Sequence, residues 1–239
     1  MIMAAILIGF AASSCQMDDT LQYNNVTMGN VVDGTLVSDQ GNIFNVVEQT
    51  CMGRLDTMSR VMVVCDVLKK TDGVADSYDV RLNRLTSVLD KDPIVATQIT
   101  DEAQKVQDPV YVREMWYSAG YLNMYIMVPV KSGSKARHMI NLVFDDAAAS
   151  GSNYVFELRH NAFGEVWGED GDDCVLAGAY VSFPIGKIIK GNEAHLTFNW
   201  KWHKAAGNAW SLEVVDNQLE FEWKRSAFEQ APLSLASGL

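Results

Sequence analysis

Residues 195–203 alternate strictly between apolar and polar side chains. Every second position is apolar: Leu196, Phe198, Trp200 and Trp202. Because successive side chains of a β-strand point to opposite faces, this pattern predicts a strand with an aromatic face towards a core and a polar face towards solvent. We therefore expect Trp200 and Trp202 to be buried, and Lys201 and His203 to be exposed.

Several further strands are predicted in the same half of the chain. Within residues 111–145, two apolar runs meet at Ala119 and Gly120, and a third follows a polar turn at 131–137. Gly120 can adopt backbone angles that other residues resist, which suits a tight turn. Strand patterns also occur at 154–160, 175–183 and 217–224, with a shorter one near Trp210. This density predicts an antiparallel β-sandwich over residues 93–228, followed by a loose tail at 229–239.

Residues 28–92 are interpreted as a smaller β unit. Their strand-like runs are 30–37, 43–47, 60–69 and 78–89, with a hairpin turn at 39–42. Short strands at this spacing predict a small barrel. The fold class is therefore all-β, with a small barrel followed by an antiparallel sandwich.

The boundary between the two units is placed near Asp92 and Pro93. Thr100 is expected to cap a short helix at 101–106. The arginines of the barrel are interpreted as scattered solvated charges: Arg54, Arg60, Arg81 and Arg84.

The N-terminus carries an apolar run at residues 2–12. A membrane-spanning helix needs roughly 20 such residues, so this run suits the core of a secretory signal better than a stable anchor. The following A-A-S-S-C resembles the signal of bacterial lipoproteins, with residues 1–14 as signal peptide, Cys15 as the lipidation site and 15–27 as a tether. An ordinary signal peptide and a buried first strand are the alternatives. The acidic residues after Cys15 resemble an export tag of Bacteroidetes lipoproteins, or else form a solvated tether.

The formal charge of −11 is spread along the chain. An acidic surface repels phosphate backbones, so we expect no nucleic-acid partner. It also disfavours docking on anionic lipids through a basic patch.

No familiar catalytic or metal-binding motif is present. His195 and His203 lie on one strand, too far apart to share a metal, while His138 and His160 are interpreted as packing or surface residues. The acidic segment at 165–173 could bind calcium or form a solvated loop, although its spacing is not that of an EF-hand. We therefore expect no catalytic residues, no metal site and no cofactor.

Three cysteines follow Cys15, an odd number for an exported protein. A Cys51–Cys65 disulfide is one interpretation. A buried free thiol at Cys65, within an apolar strand, is the other.

The acidic start after Cys15, Asp-Pro-Ile at 92–94, W-Y-S-A-G-Y-L-N-M at 116–124 and H-M-I-N-L-V-F at 138–144 together resemble the NigD-like lipoproteins of the Bacteroidetes. The resemblance covers about residues 15–228. It implies an N-terminal OB-type domain, a C-terminal β-sandwich and an immunity or accessory role linked to a bacteriocin. It carries over no functional residues.

These observations predict a non-enzymatic, lipid-anchored binding or protective module of the cell envelope. Its location would be the outer membrane, facing the cell surface or the periplasm, and its ligand a protein, peptide or glycan bound by a monomer. The alternatives are an envelope hydrolase with an unrecognised site in the interdomain cleft and a calcium-stabilised structural module.

Overall fold

The structure is a computed structural model, and it describes residues 25–135, 137–167, 174–207 and 209–225. The predicted signal peptide, Cys15, most of the tether and the tail at 229–239 lie outside these residues. The last residues of the predicted tether, 25–27, form the start of the first strand.

The N-terminal unit is a closed five-stranded barrel. Its strands are β1 (Asn25–Val32), β2 (Thr35–Ser38), β3 (Ile43–Gln49), β4 (Arg60–Lys70) and β5 (Ser77–Ser87), in the order β1-β2-β3-β5-β4. The pair β3–β5 is parallel and the other pairs are antiparallel. A 3₁₀ turn, Leu55–Thr57, covers part of the barrel core. The predicted small barrel is therefore confirmed.

The C-terminal unit is a sandwich of two sheets. One sheet has the order β14-β13-β11-β10-β7, and the other has the order β6-β12-β9-β8. The strands are β6 (Leu89–Asp90), β7 (Ile94–Val95), β8 (Tyr111–Ser118), β9 (Tyr121–Lys131), β10 (Met139–Phe144), β11 (Asn153–Asn161), β12 (Cys174–Phe183), β13 (Glu193–Ala206) and β14 (Ala209–Lys224). Three further 3₁₀ turns are Ala96–Gln98, Glu102–Gln104 and Ile185–Lys187. This architecture confirms the predicted all-β class and the sandwich.

Most sandwich pairs are antiparallel, but the two-residue strands β6 and β7 pair in parallel with β12 and β10. The pair β11–β13 is also parallel. Strand patterns in a sequence carry no information about partner direction, so these pairings were not predicted.

Two predicted elements differ from the structure, the strand run at 30–37 and the helix at 101–106. The run at 30–37 is two strands, because Asp33 and Gly34 both adopt positive φ and form a tight turn. Ala119 and Gly120 do the same at the predicted turn between β8 and β9. The helix expected at 101–106 is a single 3₁₀ turn, and Asp101 rather than Thr100 caps it by accepting a hydrogen bond from the Ala103 amide.

The aromatic face of β13 packs into the sandwich core only in part. Phe198 and Trp202 are buried, but Trp200, also predicted to be buried, is only partly buried and packs against the core from its margin. The side chain of Lys201, predicted to be exposed, is 38% accessible. The expected exposure of His203 is wrong, since only 4% of it is accessible. The β13–β14 register shifts between His203 and Ala205, so the simple alternation of the strand ends there.

One residue separates the last barrel strand from the first sandwich strand. β5 ends at Ser87, and β6 begins at Leu89 within the sheet that contains β12. The intervening Val88 is buried, and its amide donates to the carbonyl of Arg60. This short connection places the start of β4 directly against the sandwich.

Candidate functional site

Arg60 lies where the barrel meets the sandwich, and its side chain has no accessible surface. Its guanidinium donates from Nη1 and Nη2 to the two carboxylate oxygens of Asp39, at 3.0 and 2.8 Å. Nη1 also donates to Asn30, at 2.9 Å. Nε and Nη2 donate across the junction, at 2.9 Å each, to Ser182 on β12 and Asn123 on β9. All five N–H groups therefore have acceptors, which offsets the cost of burying the charge.

The acceptors of Arg60 are themselves linked. Ser182 donates to Asn123 Oδ1 at 2.6 Å, and Asn123 donates to Ser118 Oγ at 2.9 Å. Ser118 completes the circuit by donating to Asp39. The Tyr121 ring lies against the guanidinium, with its centroid 3.9 Å from Cζ. This arrangement, the junction network, joins the barrel to the sheet of β9 and β12 through a satisfied set of polar groups.

The solvated role expected for Arg60 is therefore wrong. Arg60 starts a strand at the junction, and its acceptors come from four distant parts of the chain. Arg54 differs, because its side chain is largely exposed and pairs with Asp56 across only two residues. No local pattern distinguishes these two arginines.

A cleft of about 290 Å³ opens beside the junction network. One wall is formed by the barrel strands β1 and β4, and the other by β8 and β12. Its lining includes Val26, Met28, Met62, Glu114, Trp116 and Tyr180. Asp39 and Ser118 of the junction network also line it. This junction cleft combines aromatic and thioether surface with carboxylate and hydroxyl oxygens.

The aromatic wall is held by a cross-strand pair. Tyr180 packs against Tyr125 with ring centroids 4.8 Å apart. Tyr125 lies across Gly178, where an added Cβ would meet the tyrosine hydroxyl oxygen at 2.1 Å. Gly178 therefore makes room for the ring that supports this wall.

The lining residues of the junction cleft favour binding over hydrolysis. Ser118 is the cleft hydroxyl nearest to a carboxylate, but it already donates to Asp39 and accepts from Asn123. Both carboxylate oxygens of Asp39 accept hydrogen bonds from the Arg60 guanidinium, so Asp39 is poorly placed to remove a proton during a reaction. No histidine or cysteine lines the cleft among the described residues.

A second buried polar cluster joins two histidines that are 22 residues apart. His138 Nδ1 and His160 Nε2 are 2.8 Å apart, and their rings stack. His160 Nδ1 lies 2.8 Å from the carbonyl oxygen of Pro109, and His138 Nε2 lies 3.3 Å from Glu165 Oε2. Since carbonyl and carboxylate oxygens only accept, His160 Nδ1 donates to Pro109 and His138 Nε2 donates to Glu165.

Burial lowers the pKa of His160 to about 4, so this ring is neutral near neutral pH. Glu165 also accepts from Ser134 and from the Lys131 amide, and these bonds hold its pKa below the usual range. The predicted packing role of His138 and His160 fits this geometry. Their proximity was not predicted, because strand patterns do not identify cross-strand partners.

The remaining site predictions have mixed outcomes. Cys51 and Cys65 form no disulfide, and burial raises the pKa of the Cys65 thiol to about 11. Within the described ranges, no three His, Cys, Asp or Glu side chains are arranged to hold a metal ion. Of the acidic segment, residues 168–173 lie outside the described residues. Cys15 also does, so its lipidation stays a prediction.

The described elements include no helix long and apolar enough to cross a membrane.

The barrel followed by a mixed-sheet sandwich defines a two-part all-β protein. Residues 93–215 match the family model of the NigD-like C-terminal beta sandwich domain. Because this match covers more than half of the 239 residues, the chain belongs to the NigD-like family. No curated protein sequence matches the chain.

Solved structures with the same fold include a NigD-like immunity protein from Bacteroides caccae, at 21% identity and a TM-score of 0.58, over 84% of this chain and 95% of that one. A candidate toxin-related protein from Parabacteroides distasonis matches at 21% identity and a TM-score of 0.56, over 82% and 91%. A candidate lipoprotein from Bacteroides fragilis matches at 14% identity and a TM-score of 0.58, over 84% and 98%. At these identities the likeness concerns the fold.

Proposed function

We propose that this chain is a non-enzymatic binding or protective module of the cell envelope, with a bacteriocin-associated role. The observation that carries the proposal is the junction cleft, whose two walls are locked together by the buried junction network. A cleft built in this way presents a preformed surface without an activated nucleophile. The similar folds of a NigD-like immunity protein and a candidate toxin-related protein support the association with toxins.

The strand order β1-β2-β3-β5-β4, closed by the parallel pair β3–β5, supports an OB-type assignment for the barrel. OB-type barrels and sandwiches serve as scaffolds for many unrelated binding functions. The assignment therefore accords with a binding role and does not identify the ligand.

We further propose that Cys15 carries the lipid that anchors the chain to the outer membrane. The A-A-S-S-C pattern and the fold shared with a candidate lipoprotein support this. Labelled palmitate should enter the wild type and Cys51→Ser, but not Cys15→Ser, when each is expressed in a Bacteroidetes host. Equal labelling of all three proteins would contradict the anchor. Protease shaving of intact cells then decides between surface and periplasmic orientation.

The ligand of the junction cleft is proposed to be a protein, peptide or glycan that is bound without being altered. Capture from envelope extracts and culture supernatants should recover it with the wild type, and recovery should fall with Trp116→Ala. Phe163→Ala is the matched control, because this exposed aromatic residue lies elsewhere on the sandwich. Turnover of a hydrolase substrate that a cleft substitution abolishes, with folding intact, would support the hydrolase instead.

The protective role has a direct test in cells. Deletion of the gene should raise sensitivity to a toxin produced by neighbouring strains. Complementation with the wild type should restore resistance, whereas the Trp116→Ala variant should restore less of it. Unchanged sensitivity across a panel of such toxins would contradict the protective role while leaving the binding role open to the capture experiment.

A further inference from the structure

β14 is a long edge strand of the sandwich. It spans sixteen residues and pairs with β13 along one side. Among the described residues, no strand pairs with its other side. Its register with β13 is regular from Val214 to Lys224, so this part presents an ordered row of backbone N–H and C=O groups.

The core-facing side of this row is apolar except for Asn217, and it is incompletely covered. Leu219 is opposite Phe198, which is buried in the core, yet 43% of Leu219 remains accessible. Phe221 is opposite the buried Leu196 and packs against the core from its margin. An added strand would extend this apolar face and cover these two side chains.

The solvent-facing side is acidic. Asp216, Glu220 and Glu222 all point to this side, and more than half of each side chain is accessible. Two basic residues of β13 pair with these three acids: Lys201 with Asp216, and His195 with Glu220 and Glu222. Lys224 is the one base on this side of residues 214–224, and it pairs with Glu193. A strand added on the open side of β14 would therefore still meet net negative charge.

This pattern disfavours a second copy of the chain as the occupant. In a two-fold antiparallel pairing centred on Leu219, Asp216 of each copy lies opposite Glu222 of the other. Like charges that face each other across paired strands are destabilising. The net charge of −11 adds a general repulsion between copies.

We infer that the regular part of β14, residues 214–224, is a docking edge for an extended peptide segment that alternates basic and apolar residues. The backbone of such a segment pairs with the open edge. Its apolar side chains lie beside Leu219 and Phe221, and its lysines or arginines lie beside Asp216, Glu220 and Glu222. The inference deepens the proposed binding role by naming a class of partner for a second surface, separate from the junction cleft.

A synthetic seven-residue peptide, Lys-Val-Lys-Phe-Lys-Val-Lys with blocked termini, is the probe. We expect it to bind the full-length protein and to protect alternate amides of residues 214–224 from hydrogen exchange, because alternate residues of an edge strand direct their N–H groups outwards. A scrambled peptide with its lysines consecutive should bind at least tenfold more weakly. Equal binding of the two peptides would show charge attraction alone and would overturn the inference.

The variant carrying Asp216→Asn, Glu220→Gln and Glu222→Gln should lose about tenfold in affinity for the alternating peptide. A matched control carries Glu48→Gln, Asp56→Asn and Asp92→Asn, three exposed and ion-paired acids elsewhere, and should bind as the wild type does. Equal losses in both variants would overturn the inference. Protection of the outward-directed amides of β14 before peptide is added would also overturn it, because the open edge would then already be covered by residues 226–239 or by a second copy. Since Trp116 is unchanged in both variants, failure here leaves the test of the junction cleft intact.

Discussion

Arg60 and Asp39 form a bidentate ion pair that is almost fully buried. The accessible fraction is 0% for the Arg60 side chain and 3% for the Asp39 side chain. The pair lies within the barrel half of the chain, but two of the five Arg60 bonds reach the sandwich. The same contact therefore holds the barrel together and fixes the sandwich against it.

Replacement of Arg60 by Met should destabilise the protein by about 3 to 5 kcal/mol, because Asp39 is then buried without a counter-ion. Urea unfolding followed by tryptophan fluorescence measures this loss. Arg54→Met is the control, and its exposed pair with Asp56 should contribute less than about 1 kcal/mol. A loss from Arg60→Met as small as that of the control would show that the junction network does not stabilise the fold.

Gly29→Ala should cost about 1 to 3 kcal/mol, because an added Cβ would lie 2.4 Å from the Val37 carbonyl oxygen across the β1–β2 pair. The backbone of a closed barrel has little freedom to move away. Gly34→Asn is the comparison, since this turn position has open space and a left-handed backbone that Asn tolerates. Thermal unfolding of the two variants checks the prediction, and similar melting temperatures would contradict it.

The stability of the protein should fall as the pH decreases from 6.5 to about 4. Burial, with a smaller effect of His138, lowers the folded-state pKa of His160 to about 4, so the unfolded state takes up a proton first. The contribution is fully present above pH 6.5 and declines by about 3 kcal/mol over this interval, at about 1.4 kcal/mol per pH unit. Carboxylates also titrate between pH 4 and 6.5. The effect of His160 is therefore measured as the difference in unfolding free energy between the wild type and His160→Phe across this interval. His195→Gln should retain the wild-type slope, and a parallel pH profile for His160→Phe would contradict the assignment.

Cys51 should react with a thiol reagent in the native protein at pH 8, whereas Cys65 should not. Cys65 is buried on β4, and burial raises its pKa to about 11, so both access and thiolate are lacking. Mass spectrometry of the labelled peptides distinguishes the two residues. Both should be labelled in guanidinium chloride, and rapid native labelling of Cys65 would show that β4 opens readily.

The strand pattern predicted most of the strands, because burial on one face imposes a two-residue period that is visible locally. Phe198 and Trp202 follow this rule. His203 does not, since the register shift beside it breaks the alternation. The turn at Asp33 and Gly34 was missed although the sequence shows it, since Asp-Gly between the apolar pairs Val31-Val32 and Leu36-Val37 is a common two-residue hairpin turn.

The polar clusters could not be predicted in the same way. Arg60 and Ser182 are 122 residues apart, and His138 and Glu165 are 27 residues apart. Such contacts depend on which strands become neighbours and on how the barrel meets the sandwich. A single sequence gives the residue types but not these pairings.

Val26 on β1 lines the junction cleft, only eleven positions after Cys15. Eleven residues of fully extended chain span at most about 40 Å. With Cys15 lipidated, that reach would keep the cleft within one protein diameter of the bilayer. The cleft would then bind its ligand close to the membrane surface. A longer spacer inserted before β1 should increase the distance from the bilayer at which the cleft can bind.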